Sequence, residues 1–238
     1  MEYAYLTLDL FFAVLWMLIF VFRADVRREL LVTSLILTLF SILEPIIARD
    51  YFAPEYALPI FRGFGFEDVM YCFFLGGLAS VIHDAFLRNR GTERTARHLF
   101  IWAALLAAGF AAFFIGTLAF HANSIMYGAV LLLVLGTLHL IVRPELWANA
   151  VSSALLTLAI VFVAYRGWLL PLYPSVMHDF IRSDSYLFNI PVQEYLFALA
   201  WGFYCGPAYK FALGLRARRA TARFSLRWRS LVLKRPKA

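Results

Sequence analysis

The sequence predicts an all-α polytopic membrane protein with seven transmembrane helices, arranged as two parallel three-helix repeats joined by a linking helix. Three observations predict it. Of 238 residues, 63% are apolar and 16% charged, well beyond the apolar share of an ordinary water-soluble domain. Seven stretches reach the roughly 20 apolar residues that cross a bilayer core. A short acidic motif also recurs near the start of the third and the seventh of them.

The first stretch, 3–22, follows Met1-Glu2-Tyr3 and has neither a basic leader nor a small-residue cleavage site before Arg23. It reads as a retained span rather than a signal peptide. The others run over 29–48, 66–86, 97–118, 123–142, 147–168 and 191–213. They leave no room for a separate soluble domain. The organisation expected is a first repeat over 1–96, a linking helix within 97–122, a second repeat over 123–214 and a basic tail over 215–238.

Short cytoplasmic loops are enriched in Lys and Arg. Arg23, Arg27 and Arg28 follow the first span, Arg88, Arg90, Arg94 and Arg97 the third, and Arg143 the fifth. This places the N-terminus outside a cell membrane and the C-terminus in the cytoplasm. The net charge of +7 comes from the tail, where nine Lys or Arg from Arg216 onward meet no acid. Phe224, Trp228 and Leu231 lie there at helical spacing, which suits an interfacial helix on anionic lipid. Membrane lipid is therefore the expected partner of the tail, and nucleic acid is not. Cys72 and Cys205 fall inside spans, where a thiol behaves as a small apolar group.

An offset of 126 lays Gly65-Phe66-Glu67-Asp68-Val69-Met70-Tyr71 over Pro191-Val192-Gln193-Glu194-Tyr195-Leu196-Phe197, and Gly76 over Gly202. Each motif follows a loop rich in Pro and aromatic residues and opens a span. Repeats of this kind are one way membrane proteins are built. With the orientation above, Asp9, Glu44, Glu67, Asp68, Arg166 and Glu194 fall in one layer near the outer face. Ionisable groups at one depth on five helices are expected to face a bundle interior rather than lipid. The plainer alternative for Glu67 and Asp68 is helix capping, since acids suit a first turn. For Glu44, before Pro45, an interfacial role is the alternative, and Arg166 could simply neutralise an acid. His83, Asp84, His139 and Lys210 lie toward the other ends, where snorkelling or end capping is the expectation. The histidines have no ligand spacing, and no metal site is expected.

A carboxylic acid buried beside other acids can hold a proton and donate it, while a second carboxyl serves as base. Aromatic residues flank both motifs, among them Tyr71, Tyr195 and Trp201. Ring faces stabilise cations, which a proton-initiated polyene reaction requires; span anchoring and core filling are the plainer roles for aromatics. No dinucleotide fingerprint, P-loop, GxSxG or HExxH is present, and no cofactor is expected.

At these two motifs the chain resembles the membrane-integral lycopene cyclase domain family, whose members carry Pro-x-Glu-Glu or Pro-x-Glu-Asp before an aromatic-rich helix in each half. Ile190-Pro191-Val192-Gln193-Glu194-Tyr195-Leu196-Phe197 resembles the second copy and Phe64-Gly65-Phe66-Glu67-Asp68-Val69-Met70 the first. The resemblance implies redox-neutral cyclisation of the ends of an apolar polyisoprenoid, with Glu67, Asp68 and Glu194 as catalytic acid and base. It leaves Asp9, Glu44, Tyr71, Arg166, Gln193, Tyr195 and Trp201 as substrate-binding candidates. Gly65 stands where the family carries proline, and Gln193 where it carries an acid. An amide cannot exchange a proton as an acid does, so a non-catalytic membrane subunit stays open. So does a small-solute carrier with the same helix order, although the Pro-Gln dipeptide of sugar carriers is absent. A retinal-binding protein would need a mid-membrane lysine, and the only lysine in a span is Lys210. A homo- or hetero-oligomer is compatible with the sequence.

Overall fold

The computed structural model describes residues 2–87, 92–94, 97–121 and 123–217. The tail expected to lie on lipid falls outside the described residues beyond Ala217. Six helical stretches are long and apolar enough to cross a membrane: Ala4–Phe22, Arg27–Asp50, Phe66–Leu87, Leu99–Ala119, Ser124–Val142 and Pro144–Leu172. They coincide with the first six predicted spans. The protein is therefore all-α and polytopic. The seventh predicted run forms a helix of equal length, Val192–Leu213. Gln193, Glu194 and Lys210 make it more polar than the six, and it lies enclosed by its neighbours.

The helices are α1 (Ala4–Phe22), α2 (Arg27–Leu37) and α3 (Glu44–Asp50), α4 (Phe66–Leu87), α5 (Leu99–Phe114), α6 (Ser124–Val142), α7 (Trp147–Phe162), the short α8 (Leu170–Leu172) and α9 (Val176–Phe180), and α10 (Val192–Leu213). A tight 3-10 segment, Thr38–Leu43, joins α2 to α3, and Pro45 sits in the first turn of α3, where a missing N–H is tolerated. The spans of α5 and α7 end in π-helical stretches, Ile115–Ala119 and Val163–Leu169. Such stretches widen a helix and re-aim its side chains.

Two hairpins introduce the two central helices. Strands β1 (Pro59–Phe61) and β2 (Phe64–Gly65) precede α4, with Gly63 at φ +77° in the turn. After β3 (Thr92–Arg94) in chain order come β4 (Tyr186–Leu187) and β5 (Ile190–Pro191), which precede α10. Their two-residue turn holds Phe188 and Asn189, both left-handed at φ +54° and +63°, the backbone of a tight hairpin turn. At the opposite end β3 pairs with β6 (Leu215–Ala217).

The two halves share local detail. Arg23 ends α1 and Arg143 ends α6; each donates to an acid two residues on, Asp25 or Glu145. Each also reaches backbone carbonyls past the middle of the fold, Asp84 and Ala85 for Arg23, Lys210 and Leu215 for Arg143. A cation is well placed against the unpaired carbonyls of a helix C-terminus. In each half the last helix packs closely on the one before it: α4 on α2, and α10 on α7.

Small residues allow that closeness. A Cβ added at Gly202 would lie 2.5 Å from the Ser153 carbonyl oxygen, and one at Gly206 would lie 2.5 Å from the Ser153 side chain. Glycines four apart let helix backbones approach inside a membrane. Gly77 faces Ser34 in the same way on α2. Because the contact at Gly202 is with backbone, Gly202→Leu is expected to destabilise the fold by about 1–3 kcal/mol or more through overpacking. Thermal unfolding in detergent checks this, with Leu10→Ala on the exposed face of α1 as the near-neutral reference.

Candidate active site

Two carboxyl groups face one apolar cavity at the hairpin end of the bundle. Glu44 opens α3 and Glu194 lies in the first turn of α10. The cavity and its open mouth together comprise about 650 Å³ of space between atoms, and Tyr5, Tyr51, Tyr71 and Tyr165 share its wall with the two acids. Val176, Met177 and Phe180 of α9 contribute aliphatic and aromatic wall. The loop after α3 and the loop after α9 are stitched together beside it: Ala53 N–H donates to the Phe180 carbonyl at 2.9 Å, and Arg182 N–H to the Tyr51 carbonyl at 2.9 Å.

Glu194 is held at both oxygens. The Tyr51 hydroxyl donates to Oε1 and the Tyr165 hydroxyl to Oε2, each at 2.8 Å. Tyr165 belongs to the π-helical stretch of the sixth span, and the Tyr71 hydroxyl lies 3.5 Å from its own. Three phenols and a carboxyl thus run in line along the cavity wall. Tyr51 lies outside the spans, and burial together with Glu194 pushes its phenol well above the ordinary tyrosine range. It therefore stays a neutral donor around neutral pH. Glu44 receives no side-chain hydrogen bond among the described residues. It stands at the junction with a second cavity, which shares Glu44, Ile47, Tyr71 and Phe197 with the first. Phe40, Phe110, Phe113 and Trp201 line that second space.

The acidic motif divides its two positions between two tasks. Glu67 accepts from the Leu58 N–H at 2.8 Å, and Gln193 accepts from the Ser183 hydroxyl at 2.8 Å. Both first positions therefore tie down the loop before their helix. Glu67, a candidate catalytic acid by its motif, has its Oε1 occupied by backbone and lines neither cavity. Gln193 is likewise a loop fastener, which an amide performs as well as an acid. Gln193→Glu is expected to leave the protein level within about twofold of wild type, whereas Gln193→Ala lowers it. Quantifying membrane-extracted protein separates the two, since a lost hydrogen bond of this kind is worth about 1 kcal/mol.

At the second position the copies diverge. Asp68 accepts from the Gly65 N–H at 2.8 Å, as a first-turn acid does at a helix start. Pro191 has no N–H, so Glu194 cannot make that bond, and the carboxyl is free for Tyr51 and Tyr165. Gly65 in place of proline supplies the donor, and it also leaves room: a Cβ there would lie 2.2 Å from the Tyr56 ring. Asp68 lies behind the cavity wall rather than in it, and burial with Asp68 as neighbour raises the Tyr56 phenol well above its ordinary range.

Asp9 is completely buried, and among the described residues neither of its oxygens has a hydrogen-bond partner. It lies near Glu67 and Asp68, so the three form an acidic core behind Tyr5. Tyr71 faces both cavities and Trp201 the second. Arg166 is exposed and lines neither cavity. The Tyr195 hydroxyl donates to the Leu187 carbonyl at 2.8 Å and closes the hairpin instead. Tyr51 and Tyr165 carry no sequence signal that separates them from the other aromatics.

A second charged group occupies the opposite end. Lys210 on α10 is 2% exposed, with its Nζ 2.7 Å from Asp84 on α4 and 3.7 Å from Glu29 on α2. His83 is buried beside Asp84, 3.8 Å away, and touches the Ser152 hydroxyl. Snorkelling to an interface is therefore not their role. His139 is also fully buried, stacked on Phe211 with ring centres 4.4 Å apart. Among the described residues no group of three or more His, Cys, Asp or Glu is arranged to hold a metal ion. Family models, curated proteins and solved structures offer no match to the chain.

Proposed function

We propose that the chain is a membrane enzyme that isomerises the end of a linear polyisoprenoid into a ring by acid and base catalysis, without redox change. One observation carries this reading: Glu44 and Glu194 face the same aromatic-walled cavity, one carboxyl without a hydrogen-bond donor aimed at it among the described residues and the other accepting from two phenols. The first suits a proton donor and the second an acceptor. In the reaction, Glu44 gives its proton to the terminal carbon–carbon double bond, leaving a tertiary cation. The electron pair of a double bond further along the chain closes the new carbon–carbon bond, and the charge moves to the carbon that pair has left. Glu194 then removes a proton beside that centre and a double bond re-forms. The product is an isomer of the substrate. Tyr71, Phe197 and Trp201 offer ring faces to the positive charge on its path.

In this reading α1 to α4 and α6 to α10 are duplicated halves, with α5 as the link and α10 as a seventh span. The matched arginines, hairpins and glycine contacts support it. The N-terminus lies outside and the basic tail inside, as the arginine distribution predicts.

The experiment is expression in a bacterial host that accumulates lycopene, followed by separation of pigments. Cyclic products are expected from the wild type, and Glu44→Gln is expected to abolish them while the protein level in membranes is kept. Unchanged lycopene with folded wild-type protein present would refute the proposal.

A further inference from the structure

The linking helix covers more space than the carboxyl site uses. Of the six spans, Leu99–Ala119 is the least enclosed, with 11% of its most apolar stretch buried against 61% for Phe66–Leu87. Two cavities lie end to end beneath it. The second cavity described above lies toward Glu44 and a third toward the Lys210 end; the helical stretch Arg27–Asp50, α5 and α10 contribute to both walls, the first of them through Phe40 and Leu43 in the second cavity and through Val32, Thr33 and Ile36 in the third. On α5 the wall runs through Trp102, Leu106 and Phe110, four residues apart and so on one face. On α10 it runs through Trp201, Cys205 and Ala208. From Phe197 to Ala212 that wall takes 16 residues, or about 22 Å at the rise of an α-helix. Glu44 stands at one end of it, and the only other polar side-chain groups on its walls are hydroxyls, thiols and the Trp102 and Trp201 indole N–H groups.

We propose that the stretch Arg27–Asp50, α5 and α10 form a single slot for the linear hydrocarbon chain of the substrate, and that the chain reaches it sideways from the lipid by displacing α5. This rests on the acid and base reading above. A narrow apolar slot of this length suits an extended chain and not a compact solute. Its opening under the least packed helix suits a ligand already dissolved in the bilayer, and its end at Glu44 delivers the terminal double bond to the carboxyls.

The test uses the full chain in lipid nanodiscs and follows energy transfer from Trp102 and Trp201 to lycopene, the linear C40 polyene. Saturable quenching is expected, reduced by removing those two indoles. Ala208→Phe, which fills the third cavity, is expected to weaken lycopene binding by about tenfold or more, with Ala208→Leu intermediate. A C10 isoprenoid alkene, too short to reach Ala208, should compete for the wild type and Ala208→Phe equally, and so verifies that the variant is folded. Val14→Phe on the exposed face of α1 should change nothing. Lycopene binding that is indifferent to both Ala208 changes would overturn the slot. So would quenching by spin-labelled phospholipid that lycopene fails to displace, since the slot would then hold acyl chains. If lycopene binds as expected but no ring forms, the slot stands and the catalytic reading fails.

Discussion

Glu194→Gln is expected to lower ring formation by about 10²- to 10⁴-fold, the usual contribution of a positioned acid or base, with the amount of protein in the membrane nearly unchanged. The side chain keeps its shape, and an amide oxygen can still accept from one phenol. What it loses is the ability to take a proton. Tyr51 and Tyr165 hold the carboxyl from opposite oxygens at 2.8 Å, so each phenylalanine substitution alone should reduce the rate less than the loss of the carboxyl itself. Tyr51→Phe with Tyr165→Phe should approach the effect of Glu194→Gln, because the carboxyl is then no longer oriented. A purely structural Glu194 would give the reverse pattern: less protein in the membrane and normal product per molecule.

Lys210→Met is expected to be the most destabilising single change in the chain, by about 3–5 kcal/mol, the range found when one partner of a buried ion pair is removed. It leaves the carboxyls of Glu29 and Asp84 facing each other with no cation between them. The change is read by thermal unfolding in nanodiscs. Combining Lys210→Met with Glu29→Gln and Asp84→Asn removes all three charges and should recover most of the loss. A lysine that merely reached toward the interface would show less than about 1 kcal/mol, and the triple change would then be no better than the single one.

That cluster also shows where sequence reasoning reached and where it stopped. Spans were legible because a bilayer demands about 20 apolar residues in a row, and six of the seven stretches meet that demand in the structure. The seventh was legible as a helix and a motif, yet it is too polar to qualify by hydropathy because it lies among other helices. The offset of 126 that pairs the two acidic motifs also lays Asp84 over Lys210, two residues now 2.7 Å apart. Helix-end position alone made them look like surface groups. Which way a helix turns its polar face depends on its neighbours, and no single-chain pattern encodes that.

The site was legible in part for the same reason. Glu194 was reached through its motif and Glu44 through its depth in the membrane. Glu67 and Gln193 share the motif but fasten loops, a role set by Leu58 and Ser183 and not visible in spacing. The substitution of Gly65 for proline looked like a departure from pattern. Its backbone N–H instead explains why Asp68 is tied to the helix start while Glu194, behind Pro191, is free for the cavity.

The most direct test of the central claim is the source of the hydrogen that starts the reaction. In a lycopene-accumulating host shifted to deuterated water before the protein is induced, so that preformed lycopene is unlabelled, mass spectrometry of the cyclic product is expected to find one deuterium for each ring closed. It should lie on the former CH carbon of the terminal double bond, next to the dimethyl-bearing carbon that closes the ring. Rings without that label, or unchanged lycopene beside correctly folded protein, would contradict the account.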